Sequence, residues 1–243
     1  MRRIFFSLLV FLLLCFPVSA QEYDYCAGAG GSASDPCANR GTAALYYNVD
    51  HTSGNTTACI ASGTTTVTLT NAAASTAQNH TTGGANSVLH EAGAKEYISV
   101  AVTGKNYFDS AEGMVTVWYY PTGTTGSNYL FMIYMDSSNK IVTTVNSANT
   151  ISLEHIGQTV SVAKTTTATV TDNQWNQVDI RWSYENNQIA IRINGGSWEV
   201  DTDGDAVTAF ATEPAAVLIG SSAVNVADAY YTDDIFLYTS SGL

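Results

Sequence analysis

From Gly41 onward, hydrophobic and polar residues alternate in short runs, with turn-forming residues between one run and the next. Successive side chains on a strand point to opposite sides, so alternation with a period of two marks strands that rest one face on a core. The runs lie at residues 44–49, 65–70, 96–102, 114–120, 129–135, 141–145, 150–156, 159–162, 177–183, 188–193, 197–200, 216–219 and 231–238. None keeps the three-to-four-residue spacing of an amphipathic helix for long enough to compete. Many short strands with frequent turn signals predict an all-β sandwich. Two joins read as hairpins: Asp136-Ser137-Ser138-Asn139 and Asn194-Gly195, the second being the strongest short-range hairpin signal in the chain.

The same phasing sorts side chains by face. Val178, Ile180 and Trp182 share one side of their strand, and Gln177, Asp179 and Arg181 the other. Ile189, Ile191 and Ile193 continue the inner side, with Ala190 and Arg192 outward. Beyond the Asn194-Gly195 turn, an unbroken two-residue register predicts Trp198 and Val200 inside and Glu199, Asp201 and Asp203 outside. On that reading Arg181 and Arg192 pair with Glu199 and Asp201 across the strands. Trp118, Trp182 and Trp198 are expected in the core. Tyr119, Tyr120, Tyr129 and Tyr184 are expected near turns or opposite it, where some could stack on sugar rings.

Residues 1–20 carry a different pattern. Arg2 and Arg3 precede an apolar run over residues 4–16, then Pro17 and Val18-Ser19-Ala20. A charged start, a short hydrophobic stretch and a small-x-small exit describe a secretory signal peptide cut after Ala20. The run is short of the roughly twenty residues that a membrane span requires, and no membrane span is expected after cleavage. Residues 21–40 form a Gly/Ser/Ala-rich arm, and residues 41–243 the β domain.

Composition narrows the partners. Only 12% of residues are charged, about half the usual share of a soluble domain. Acids outnumber bases 21 to 9, for a net charge of −12, and loss of Arg2 and Arg3 with the signal deepens it to −14. A nucleic-acid binder needs a basic footprint, so that class is excluded. Cleavage leaves Cys26, Cys37 and Cys59, three thiols that cannot all pair within one chain. The expected bridge is Cys26 to Cys37, which closes a polar, Gly-rich loop. Cys37 to Cys59 is the competing arrangement, and either leaves one thiol for burial or for an intermolecular bond.

Several stretches follow one another in a recognisable order. They are EYISV (96–100), GMVTVWYYP (113–121), WNQVDIRWSYENNQIAIRING (175–195), VLIGSS (217–222) and YYTDDIFLY (230–238), with AALYYNVD (43–50) in the place of a first strand. This series resembles the concanavalin A-like lectin/glucanase superfamily in its laminin G-like form, over residues 41–243. The resemblance implies a jelly roll of two curved antiparallel sheets. It also implies a structural calcium held by an Asp of the last strand near the start of the domain. The matching residues are Asp233 and Asp234, with Asp50 at the end of the first strand. It fixes no function, because one fold hosts many sites.

Two acidic stretches invite chemistry. Glu199-Val200-Asp201-Thr202-Asp203 places alternating carboxylates on one face, as a retaining glycosidase requires for its nucleophile and acid/base. The stretch resembles the E-x-D-x-E strand of family 16 glucanases, with Glu199 as nucleophile and Asp203 as acid/base. The shorter Asp203, and the mere forty or so residues after it, depart from that pattern. The bland alternative is a solvated strand face. An EF-hand starting at Asp201 fails, because Ala206 and Thr212 stand where Gly and Glu are needed. His51, His80, His90 and His155 lack the spacing of a zinc site. Asn55 and Asn79 fit the glycosylation sequon.

The expectation is therefore a secreted or periplasmic, non-catalytic module that binds carbohydrate or an extracellular surface protein, with calcium as its candidate cofactor. A glycoside hydrolase using Glu199, Asp201 and Asp203 is the first alternative. A self-associating structural subunit is the second.

Overall fold

The computed structural model describes residues 41–48, 57–60, 63–80, 86–123, 125–136, 139–156, 161–201, 213–222 and 224–239. Among them there are strands and turns and no helix. The strands are β1 (Leu45–Tyr47), β2 (Thr57–Ile60), β3 (Gly63–Thr70), β4 (Ala73–Ser75), β5 (Ser87–His90), β6 (Tyr97–Ala101), β7 (Glu112–Pro121) and β8 (Asn128–Asp136). They continue as β9 (Asn139–Val145), β10 (Thr150–Ile156), β11 (Ser161–Thr169), β12 (Asn176–Ser183), β13 (Gln188–Ile193), β14 (Glu199–Val200), β15 (Ala216–Gly220) and β16 (Tyr230–Tyr238). Each alternating run of the sequence lies on one of these. The runs miss three short strands, β2, β4 and β5, and place β11 too early.

Neighbouring strands follow one path, β11-β10-β9-β8-β15-β6-β3-β2-β1-β16-β7-β12-β13-β14, with β5 on β16 and β4 on β5. β3 carries the path around a corner: Gly63–Thr66 pair with β2, and Val67–Thr70 pair with β6. The two ends of the path approach each other, β11 lying against β13 and β14. The sheet is thus nearly closed and barrel-like around a single large core. That core takes Val178, Ile180 and Trp182 from β12 and Ile189, Ile191 and Ile193 from β13, as the phasing requires, and Val115, Val117 and Tyr119 from β7, where the buried Tyr119 corrects the expectation that it lies opposite the core. Gly113 sits opposite Trp182 in register. A Cβ there would fall 2.4 Å from the indole, so only glycine lets the two strands hold this ring between them.

The hairpin at Asn194-Gly195 forms as expected. Both residues have positive φ, 52° and 68°, and the N–H of Gly196 donates to the carbonyl of Ile193. The strand after it does not keep the expected register. Ile191 faces Glu199 and Ala190 faces Val200, one residue beyond what a simple two-residue hairpin dictates. The extra residue is a bulge, and a slip of one residue exchanges the two faces of a strand. Trp198 is consequently turned away from the core and onto the side of Arg181 and Arg192, and Glu199 is turned away from the arginines. Trp118 also leaves the core, alternating with the buried Val117 and Tyr119. Of the three tryptophans expected inside, Trp182 alone is there.

Cys59, on β2, is disulfide-bonded. Cys26 and Cys37 lie outside the described residues, and their expected bridge with them.

Candidate functional site

The face of β16, β7, β12 and β13 opposite the core carries the concentrated chemistry. At one end, β16 slips against β7 between Asp233, which faces Trp118, and Phe236, which faces Thr116. Asp234 absorbs the extra residue in a left-handed conformation, φ 42°, a region that Asp tolerates better than most side chains. Two consecutive aspartates thereby reach the same surroundings. Oδ1 of Asp234 accepts from the Tyr46 hydroxyl at 2.5 Å and from Nδ2 of Asn48 at 2.6 Å, and its Oδ2 lies 2.8 Å from Nδ1 of His80. Asp233 accepts from the backbone N–H groups of His80 and Asp234. Burial works against the Asp234 charge, but the bonds from His80, Tyr46 and Asn48 outweigh it and hold the carboxyl below its usual range.

These contacts pin residue 80 onto the sheet. The His80 ring stacks on Trp118 with centroids 3.6 Å apart and meets Trp175 edge-on at 5.6 Å. Nε1 of Trp175 donates to the carbonyl of Asn79. Beside this stack runs a strip of three half-buried rings contributed by adjacent strands. Tyr231 of β16 faces Tyr120 of β7 in register, and Trp175 immediately precedes β12. Tyr120 meets Tyr231 at 6.0 Å and Trp175 at 5.4 Å, both edge to face.

At the other end of the face, Asp179 is fully buried rather than solvated. It accepts from the Thr116 hydroxyl at 2.6 Å, from Nε2 of Gln177, and from Nε of Arg192 at 2.5 Å. The Trp198 ring lies against both guanidiniums, 4.0 Å from that of Arg181 and 4.5 Å from that of Arg192. The expected pairs of these arginines with Glu199 and Asp201 are absent, because the β14 bulge turned the acids to the other side. Both carboxylate oxygens of Glu199 instead accept from the backbone of β11, at Thr167 and Ala168. Partial burial opposes that charge, yet the N–H groups prevail and lower the Glu199 carboxyl below its ordinary range. Glu199 fastens one end of the strand path to the other. Asp201 is buried after β14, and Asp203 lies outside the described residues.

The calcium expectation meets a different set of neighbours. Calcium asks for six to eight oxygen ligands, whereas Asp234 is surrounded by N–H and O–H donors that suit a carboxylate without a cation. Among the described residues no three His, Cys, Asp or Glu side chains gather as a metal site. Asp50 lies outside them.

No family model and no curated protein matches the sequence. Solved structures do match. The binding domain of Paraclostridial Mosquitocidal Protein 1 superposes with a TM-score of 0.62 at 11% identity, over 82% of this chain and 49% of that one. The botulinum neurotoxin type G receptor binding domain gives 0.57 at 11%, over 82% and 48%. Domain 4 of AbnA, a GH43 extracellular arabinanase from Geobacillus stearothermophilus solved with arabinotriose, gives 0.59 at 14%, over 82% and 93%. The likeness is one of fold. It shows an all-β fold, and the chain spans about half the length of the toxin domains it matches. Among the described residues no helix is long and apolar enough to cross a membrane.

The alternation along the chain does not reveal the aromatic strip. Tyr120 is among the tyrosines that the sequence offers for stacking, but Trp175 and Tyr231 stand far from it along the chain, and only strand order makes the three neighbours. Their one local signal is that Tyr120 and Tyr231 stand at the ends of predicted runs and Trp175 two residues before the run 177–183.

Proposed function

We propose that this protein is a non-catalytic, exported carbohydrate-binding module, built as two curved layers of the concanavalin A-like kind, with the strip Tyr231–Tyr120–Trp175 as its sugar platform. The observation that carries this reading is the strip itself: three half-buried rings side by side on one sheet face, backed by a hydrogen-bonded anchor at His80, Asp233 and Asp234. Sugar rings offer apolar C–H faces to aromatic side chains and hydroxyls to polar ones, and the strip and its border supply both. The arabinotriose bound to the AbnA domain supports the class of ligand. Glu199 committed to the β11 backbone favours a binding role over the hydrolase alternative.

Affinity electrophoresis through gels containing arabinan, galactan, dextran or pectate tests the proposal. Retardation by at least one polysaccharide is expected, weakened about tenfold or more by Trp175→Ala or Tyr120→Ala with melting temperature little changed. Retardation by none, or variants that bind as the parent does, overturns it. The calcium expectation has its own test in the same gel, since retardation unchanged by EDTA removes it.

A further inference from the structure

We infer that Arg181, with Arg192 and Trp198 beside it, forms an anion subsite that takes a carboxylate or sulfate group of an acidic glycan. The inference rests on the carbohydrate-binding reading above and names the chemical class of the glycan.

The argument begins from charge in a chain that has little of the positive kind. Nine bases serve 243 residues against 21 acids, yet two of the nine stand on adjacent strands of one face. Arg192 lies across from Asp179 in register, and Arg181 across from Ala190. Only Arg192 has a counter-charge, the buried Asp179. Arg181 is half-buried, its Nε is shielded from solvent, and that N–H has no acceptor. What Arg181 touches is an indole face and, close by, a second cation. Burial first and Arg192 second pull its guanidinium down to about 10. The Trp198 face offsets part of that cost, since a ring quadrupole attracts a cation.

A guanidinium cannot shed its charge at any ordinary pH, and its planar set of donors matches the two oxygens of a carboxylate or sulfate. An arginine held half-dry without an acceptor, beside another arginine, is stabilised by an incoming oxyanion more than an exposed lysine would be. The geometry also says why the oxyanion belongs to a glycan. Met114, which faces Arg181, stands six residues along β7 from Tyr120, or about 20 Å at the rise of a strand. Trp118 and Gln177 lie between. A chain of several sugars can lie on the aromatic strip and present an acidic substituent to Arg181 on the same face.

The experiment compares the retardation of the whole protein by dextran with that by dextran sulfate, and by galactan with that by pectate, and adds poly-glutamate as a peptide polyanion. Parent and Arg181→Gln are run side by side with melting curves. Expected are a preference for the acidic member of each pair, weakening with added salt, and its loss by about tenfold in Arg181→Gln. Neutral binding should persist, and the melting temperature should not fall, because the substitution removes a cation that repels its neighbour. Four results overturn the inference: neutral binding without acidic preference, a preference that survives Arg181→Gln, poly-glutamate bound as tightly as the acidic glycans, and an Arg181→Gln protein that is less stable while it still binds. Absence of binding to every glycan overturns the carbohydrate reading as well, and so is distinguishable from failure of the subsite alone.

Discussion

The two ends of the outer face solve the problem of buried charge in opposite ways. Around the β16 bulge the anion Asp234 receives three donors, from Tyr46, Asn48 and His80. Beside β14 the anion Asp179 answers Arg192 but leaves Arg181 without an acceptor for its buried Nε. Buried polar groups in folded proteins are nearly always satisfied, and at the second end the group without an acceptor is a cation, which is why the proposed subsite is assigned there. Aromatic rings occur at both ends with different duties. At the bulge Tyr120, Tyr231 and Trp175 are presented to the exterior, whereas Trp198 is spent on covering cations.

Removing the carboxylate at each end should expose this difference most strongly. Asp179→Ala leaves two neighbouring guanidiniums with no anion, and breaking a buried pair in this way costs about 3–5 kcal/mol. Asp234→Ala leaves the Tyr46, Asn48 and His80 partners around a hole and costs less, about 1–3 kcal/mol. Urea unfolding of both variants measures the gap. Adding Arg181→Gln to Asp179→Ala should restore part of the loss, because one of the two cations is gone, while the same addition to Asp234→Ala should be without effect. Equal costs at the two ends, or no rescue, would show the arginine end to be as self-sufficient as the bulge.

Much of this frame is legible in the chain because the core strands alternate cleanly. Val178, Ile180 and Trp182, then Ile189, Ile191 and Ile193, announce one buried face without help from any neighbour. The pattern fails where burial is not apolar. β11 is rich in threonine, with Thr166 buried among more exposed neighbours, so the predicted run stops at residue 162. β4 and β5 are too short to show a period, and β5 ends on a buried histidine, His90. Asp179 alternates as a solvated residue should, but three partners on three strands carry it inside. Trp198 and Glu199 exchange faces through one added residue that composition cannot reveal. Both ends of the outer face depend on such insertions, Asp234 at one and the β14 bulge at the other, which is why neither end could be assembled from the phasing.

A buried neutral histidine lies beneath each end, and acid tests them separately. His90 stacks on Tyr230 at 4.4 Å, and His155 meets Tyr184 edge-on at 5.7 Å. Burial lowers His90 to about 3 and His155 to about 4, partly opposed in each by a backbone hydrogen bond. The unfolded chain protonates both near 6.5, so between that pH and the folded values it binds more protons than the native state. Stability from each histidine is therefore complete above about pH 6.5 and declines as pH falls, by about 2 kcal/mol from pH 7 to pH 5. Chemical denaturation at pH 7, 6 and 5 should show this slope, with His90→Gln or His155→Gln each removing about half. A slope wholly lost with one substitution would mean that a single end governs acid unfolding.

The smallest effect falls on the turn that leads into the bulge. Gly195 has φ +68°, and a Cβ there would meet no atom within 4 Å, so Gly195→Ala is penalised through the backbone alone. The cost is about 1 kcal/mol, or roughly 2–4 °C in the melting temperature of a domain this size. The bond from Gly196 to Ile193 keeps the turn closed, and the facing of Ile191 with Glu199 beyond it is set by the extra residue rather than by residue 195. Trp198 should stay on the two guanidiniums, and the preference for acidic glycans should survive intact. Deleting Ser197 is the counterpart. It removes the added residue, returns Trp198 to the core phase and brings Glu199 opposite the arginines, which should abolish that preference while the aromatic strip continues to bind. If Gly195→Ala alone abolishes the preference, the turn and not the bulge holds Trp198 in place, and the contrast between the two ends rests on a single glycine.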